Sequence, residues 1–184
     1  VPMLSYITGF DQTATDIRSR HLRFLLLRVD RATLLLGRAL AVLLILATGY
    51  ALTIGLLIAL MIASDGGMGG VSEVVFLVRI WLCLVLFSVP MVALLSWTNT
   101  LTGHPYLAFA AAVGLQFGVW VLGLVGQWQE VSLFESAPLL FPTAYKYNLL
   151  SDDPELLQVV LTQQLALTMA FAALAWFAFR RRDV

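Results

Sequence analysis

Four long apolar runs separated by polar clusters dominate the pattern of this chain. The runs cover residues 39–64, 74–97, 106–126 and 155–179. Each run has the roughly 20 residues that an α-helix needs to cross the hydrocarbon core of a bilayer. The pattern therefore predicts an all-α polytopic membrane protein with four transmembrane helices, and residues 39–184 form its transmembrane domain. A long connection at residues 127–154 separates the third run from the fourth.

Two further segments precede the first run. Residues 1–10 are apolar but too short to cross a bilayer, so we expect them to be the end of a truncated span. Residues 11–38 alternate arginines with apolar residues and predict a cytoplasmic amphipathic helix at the membrane surface. A break is expected near Val29 and Asp30, where Asp30 would cap a second helix that runs into the first span.

The distribution of charge predicts the orientation. The chain has 184 residues, of which 60% are hydrophobic and only 12% charged, whereas soluble domains carry about 25% charged residues. Most of its 11 basic residues lie in two patches, Arg18, Arg20, Arg23, Arg28, Arg31 and Arg38 before the first run and Arg180, Arg181 and Arg182 after the last. Basic residues accumulate on the cytoplasmic side of membrane proteins. We therefore expect a multi-pass protein of a bacterial-type plasma membrane, with a cytoplasmic C-terminus and an external segment at residues 127–154.

The sequence contains no recognisable catalytic or metal-binding constellation. Cys83 is the single cysteine, and His21 and His104 are the only histidines, with no ligand spacing between them. The motifs H-E-x-x-H, G-x-S-x-G and G-x-x-x-x-G-K-[ST] do not occur. We therefore expect no enzyme activity, no metal and no cofactor on this chain, and no nucleic-acid partner.

The arginine-rich segment has two interpretations from its residues alone. An amphipathic helix can lie in the membrane interface with its arginines facing lipid phosphates. Alternatively, arginines that flank Phe24 can form a docking helix for a cytoplasmic subunit, because arginine and aromatic residues are enriched at protein interfaces.

Four stretches together resemble a known family. Residues 19–31, SRHLRFLLLRVDR, followed by LGR at residues 36–38, resemble the patch S-G-T-x-R-x-L-L-x-x-P-x-x-R-x-x-x-x-x-G-K. The C-terminal FRRRD resembles F-x-R-R-D, PLLFPTAY at residues 138–145 resembles a region before the last span, and residues 96–105 resemble a short inner link. In this order the chain resembles the permease subunits of ABC transporters, in the exporter-like class with six spans per subunit, without the first span and most of the second.

The chain departs from the family pattern at three places. Arg20 and His21 replace the Gly-Thr of the patch, Val29 replaces its proline, and Gly37-Arg38 replaces Gly-Lys while keeping the charge.

The resemblance implies a function and a set of partners. It implies a permease that pairs with a second permease, in a homo- or heterodimer, and with cytoplasmic ABC ATPase subunits that bind ATP and magnesium. The implied ATPase-coupling residues are Arg18, Arg20, Arg23, Phe24, Arg28 and Arg31. The alternative is a membrane scaffold or accessory subunit of a larger complex that moves no substrate, since the spans contain almost no charge.

Five residues inside the spans are candidates for a pathway or for packing. Arg79 can snorkel to the outer interface or face a substrate path. Pro90 should kink the second span, because proline lacks an N–H and clashes with the preceding turn. Gly114 and Gly118 form a G-x-x-x-G pair that lets helices approach closely, and Gln116 lies between them.

The external segment contains three further candidates, Pro142, Tyr145 and Tyr147. Short amphipathic or re-entrant helices at residues 130–155 could dip toward the membrane. We expect the segment to act either as a gate over a pathway or as an interfacial cap.

Overall fold

The computed structural model describes residues 2–9, 11, 13–18, 29–65, 71–129, 137–145, 148–151 and 153–181. Its helices are α1 (Pro2–Gly9), α2 (Ala14–Arg18), α3 (Arg31–Asp65), α4 (Val71–Thr102), α5 (Pro105–Gln129) and α6 (Pro154–Arg180). Three short 3₁₀ helices, Ala137–Leu140, Pro142–Tyr145 and Asn148–Leu150, lie between α5 and α6. Within these ranges there is no strand. Helices α3 to α6 are long and apolar enough to cross a membrane. The prediction of an all-α polytopic membrane protein is therefore confirmed.

Helix α4 is the centre of the bundle. It packs against α1, α3, α5 and α6, and Met91, Leu94 and Leu95 on it are fully buried. Two polar contacts join it to α3: the Trp81 Nε1–H donates to the Ala47 carbonyl at 3.0 Å, and the Tyr50 and Ser88 hydroxyls lie 3.1 Å apart. The helix continues through the predicted kink residue Pro90, which is buried.

The inner link between the second and third spans is shorter than the sequence predicts. Helix α4 extends to Thr102, so residues 98–102 are helical, and only Gly103 and His104 separate it from α5. These polar residues continue the helix because their side chains bond back to helical carbonyls, for example Asn99 Nδ2 to Leu95 O at 2.8 Å. Gly103 then closes the helix with a φ of 66°, in the left-handed region that favours glycine.

The first span begins earlier than residue 39. Helix α3 starts at Arg31, directly after Asp30, where the sequence predicts a break, and the Leu34 N–H donates to the Asp30 carbonyl at 3.0 Å. Residues 31–38 therefore form the first two turns of the spanning helix, although the sequence assigns them to the cytoplasmic segment. Within that segment α2 is helical, and an ion pair joins its Asp16 to Arg38 of α3. Residues 19–28 lie outside the described residues.

Helix α5 is the least covered of the long helices. Phe117, Trp120 and Trp128 on it are more than half exposed. In a membrane protein such apolar faces contact lipid or a neighbouring chain, because no water is present at that depth. Its buried residues are mostly small, for example Ala112 near its start and Gly123 near its end.

Candidate functional site

The segment between α5 and α6, which we call external after its predicted side of the membrane, packs into the bundle. Phe141 packs with Ala93 and Leu94 of α4, and its ring centroid lies 6.3 Å from that of Phe171 in α6. Phe171 is 17 residues from the start of α6, which is about 25 Å along the helix. The segment therefore lies between the long helices at this level, and we call its three 3₁₀ helices the re-entrant segment.

The position of Trp97 shows how far the re-entrant segment reaches into the helix bundle. The Phe171 ring that contacts Phe141 also stacks on Trp97, with centroids 6.2 Å apart and planes 17° from parallel. Trp97 lies five residues before the end of α4 at Thr102, which is about 8 Å. The Phe171 ring alone therefore lies between Phe141 and Trp97. Trp97 belongs to the last two turns of α4, next to the link to α5.

The inserted backbone is satisfied by polar side chains of the spans. The Gln164 Nε2 donates to the Pro142 carbonyl at 3.2 Å, and both residues are buried. Gln164 is ten residues into α6, about 15 Å from its outer end. Non-helical backbone at such a depth requires a partner from the protein, because an unsatisfied carbonyl in hydrocarbon costs several kcal/mol. Gln164 supplies that partner.

Two side chains of α4 hold the last part of the re-entrant segment. The Cys83 thiol donates to the Leu149 carbonyl at 3.1 Å. The Arg79 guanidinium donates to the Leu150 carbonyl at 3.4 Å and also to the Ser151 carbonyl. Arg79 is thus directed toward the external segment and fixes its backbone.

A close approach between α5 and the first 3₁₀ helix depends on a glycine. A Cβ atom added at Gly123 would lie 2.3 Å from Pro138 Cγ and 2.8 Å from Pro138 Cδ. Real Cβ atoms do not approach carbon this closely, so only glycine lets Pro138 seat against the helix.

A cavity of about 590 Å³ lies between α1, α5 and the re-entrant segment. Its lining is mostly aromatic or aliphatic: Tyr6, Phe109, Val113, Gln116, Phe117, Val119, Trp120, Pro138, Phe141, Thr143 and Ala144. The Tyr6 hydroxyl donates to Gln116 Oε1, and Tyr6 itself is 4% exposed. None of these lining residues is Asp, Glu, Lys or Arg. The cavity therefore suits a neutral, largely apolar molecule that carries a hydrogen-bonding group.

The structure brings only part of the predicted pathway and gate residues to this site. Gln116 lines the cavity, and Pro142 and Arg79 belong to the re-entrant segment and its attachment. Tyr145 ends the second 3₁₀ helix, and Tyr147 lies outside the described residues. Pro90 is buried in α4, away from the cavity lining.

The G-x-x-x-G pair of α5 has no close neighbour in the described part of the chain. A Cβ atom added at Gly114 or Gly118 would meet no atom within 4 Å.

Only one of the predicted ATPase-coupling side chains lies in the described residues. Arg31 donates from one guanidinium nitrogen to the carbonyls of Phe179 and Arg180, at 3.3 and 3.2 Å. It therefore joins the start of α3 to the end of α6. Arg18 ends α2, and the remaining residues of the set, Arg20, Arg23, Phe24 and Arg28, lie outside the described residues.

Three residues on which this site depends, Gln164, Gly123 and Phe141, are not among the residues predicted from the sequence. Gln164 carries a signal, because it is a polar residue inside an apolar run. Gly123 is one more glycine in a glycine-rich helix, and nothing in the sequence distinguishes it from Gly118. Phe141 is an ordinary apolar residue of a loop, and only the fold shows that it is inserted.

The chain matches no protein-family model, no curated protein and no solved structure.

Proposed function

We propose that this chain is the permease subunit of an ATP-driven, ABC-type transporter, which couples a cytoplasmic ATPase to substrate movement across a plasma membrane. The observation that carries the proposal is non-helical backbone held at membrane depth beside a neutral cavity. Non-helical backbone occurs at that depth where it is buried in protein or lines a cavity, and in transporters such elements form substrate sites.

A static scaffold would not require this arrangement. Four uninterrupted helices satisfy their own backbone hydrogen bonds, whereas the re-entrant segment needs Gln164, Cys83 and Arg79 as external partners. The segment is attached through side-chain bonds and packing, so a movement of the segment would not break any helix. This supports the role of a gate for the re-entrant segment, with Pro142, Tyr145 and Tyr147 in or next to it.

Coupling to the ATPase would begin at the basic segment. Its described flanks are attached to two spanning helices: Asp16 pairs with Arg38 of α3, and the carbonyl of Gly9, at the end of α1, accepts from Asn99 Nδ2 of α4 at 3.1 Å. Asn99 is fully buried, so this bond is shielded from water. A displacement of Arg20, Arg23 and their neighbours by the ATPase would thus be transmitted to both α3 and α4.

The second permease would pack against α5. This helix exposes the G-x-x-x-G pair and large apolar side chains such as Phe117 and Trp120. Small residues at such spacing let two helices approach closely in a membrane. ATP and magnesium would bind on the ATPase partners, and the C-terminus of this chain would lie on the same cytoplasmic side.

Gentle detergent extraction followed by mass spectrometry of co-purifying proteins tests the proposal. We expect a stoichiometric subunit that carries a Walker-type ATPase sequence. The double charge reversal Arg20→Glu and Arg23→Glu should release this subunit and uncouple ATP hydrolysis from transport, while membrane insertion stays intact. Arg181→Glu is the matched control, because Arg181 lies at the end of α6, outside the basic segment.

Two results would contradict the proposal. One is a large assembly without any ATPase, which would make the chain a structural subunit. The other is a doubly reversed variant that retains its ATPase and its coupling as well as the Arg181→Glu control does.

A further inference from the structure

A basic depression lies where α3 begins and α6 ends. Its volume is about 540 Å³, and it is lined by Asp30, Arg31, Ala32, Trp176 and Arg180. We propose that it binds the phosphate group of an anionic phospholipid from the surrounding membrane. The proposal requires only that this end of α3 and α6 meets the membrane interface, and it does not rest on the transport function.

Arg31 is held in place for such a ligand. One of its terminal nitrogens donates to the Phe179 and Arg180 carbonyls, and its guanidinium carbon lies 6.0 Å from the centre of the Phe179 ring. A guanidinium has five N–H donors in a planar fork, so two carbonyls do not exhaust it. The bonded side chain loses little freedom when its other donors bind an anion, which favours affinity.

The charges of the depression match a monoanion. Among the described lining residues, Arg31 and Arg180 contribute two positive charges and Asp30 one negative charge, which leaves a net charge of +1. Arg181 stacks on the Phe177 ring at 4.1 Å and is not part of the lining. The nearby Asp16 and Arg38 neutralise each other in an ion pair. A phosphodiester carries a single negative charge, and arginine binds phosphate oxygens through paired hydrogen bonds.

The surroundings favour a lipid over a free ion. Trp176 lies one helical turn before Arg180 and is 39% exposed, and tryptophan is enriched at the level of lipid headgroups. Next to the depression α3 exposes Leu36 and Leu40, and α6 exposes Phe177. Exposed apolar side chains of this kind can contact acyl chains. Basic pockets between transmembrane helices are known sites for anionic headgroups.

Native mass spectrometry of the full chain can test the site. The protein is titrated in detergent with phosphatidylglycerol or with phosphatidylcholine of the same acyl chains. We expect wild-type protein to retain one phosphatidylglycerol in preference to phosphatidylcholine. The change Arg180→Gln should weaken this binding roughly tenfold, as expected for the loss of a charged hydrogen bond. Arg181→Gln is the matched control and should leave the binding unchanged.

Arg180 is exposed at the end of α6, so Arg180→Gln should fold, which a melting curve verifies. Arg180→Lys keeps the charge but loses the planar fork, and should bind between wild type and Arg180→Gln.

Three outcomes would overturn the assignment. Equal retention of phosphatidylcholine would show that the site does not select an anion. Displacement of the lipid by an equal concentration of inorganic phosphate would show an anion site that does not use the acyl chains. An effect of Arg181→Gln as large as that of Arg180→Gln would show diffuse attraction to the whole basic end.

Discussion

Both ends of the bundle use side chains to bind backbone carbonyls, but they do so in different surroundings. At the outer end, Gln164 and Cys83 bind carbonyls of a non-helical segment that lies between the spans. At the inner end, Arg31 binds the last carbonyls of α6, where the helix stops. The bond between Gln164 and Pro142 is buried and that between Cys83 and Leu149 is partly buried, whereas the bond from Arg31 to the Arg180 carbonyl is exposed.

This difference determines which lost hydrogen bonds reduce the stability of the protein. Within the bundle no water can replace the missing donor, so the carbonyl stays unsatisfied, at a cost of about 1–3 kcal/mol. At a helix end, water satisfies the last carbonyls, and a lost side-chain donor costs little. We therefore expect the stability of the protein to depend more on the outer attachments than on the inner ones.

The strongest test of the outer end is Gly123→Ala. The new methyl group would collide with Pro138, and overpacking of this kind costs about 1–3 kcal/mol. Thermal unfolding in detergent should show a lower melting temperature. The matched control is Gly55→Ala in α3, which is outside the G-x-x-x-G pair and has nothing within 4 Å. The control should be neutral or slightly stabilising, since alanine favours a helix over glycine by about 1 kcal/mol.

Equal melting temperatures for the two alanine variants would contradict the seating of Pro138 against α5. The difference in stability between the two ends would then depend only on their hydrogen bonds.

The next largest effect is expected for Gln164→Leu. Leucine fills a similar volume but leaves the Pro142 carbonyl without its donor, so we expect a loss of about 1–2 kcal/mol in the free energy of unfolding. Gln158→Leu, at an exposed position of the same helix, is the control and should change stability by less than about 0.5 kcal/mol. A loss for Gln158→Leu as large as for Gln164→Leu would refute the specific role of the bond to Pro142.

The sequence was sufficient to predict the four spans and much of their boundaries. In a chain with so little charge, an apolar run of about 20 residues has few alternatives to a membrane-spanning helix. The start of α3 after Asp30 follows from the position of Asp30 as a cap residue. The predicted link between the second and third spans is longer than the observed one, because threonine and asparagine are typical of loops. Their side chains instead bond to helical carbonyls, such as those of Leu95 and Trp97.

The depth of the re-entrant segment could not be predicted in the same way. Its insertion depends on the match between Phe141 and the Phe171–Trp97 stack, and on the space beside Gly123. These are contacts between residues far apart in sequence, and none has a periodic signal. Of the residues predicted from the sequence, Gln116, Pro142 and Arg79 lie at the candidate site, but the residues that hold them together were not predicted.

Arg79→Met tests the shallower part of the outer attachment. It removes the donors to Leu150 and Ser151, which lie nearer the outer interface than Pro142, and we expect a loss of about 0.5–1 kcal/mol in the free energy of unfolding. Arg79→Lys should restore part of this loss, because lysine keeps a donor. If Arg79→Met is neutral for stability while transport is abolished, the residue belongs to the substrate path instead.

Arg31→Gln is expected to have the smallest effect of the four, below about 0.5 kcal/mol. The variant loses a donor to the carbonyls of Phe179 and Arg180, but α6 ends there and water can bind them. Unfolding should be measured in neutral detergent without anionic lipid, since lipid bound at the basic depression would add its own contribution. Phe179 is fully buried beside this bond, so a loss as large as that of Gln164→Leu would show that the inner end is as enclosed as the outer one. The two ends would then not differ, because the position of a carbonyl along the bundle would not determine how much its donor contributes to stability.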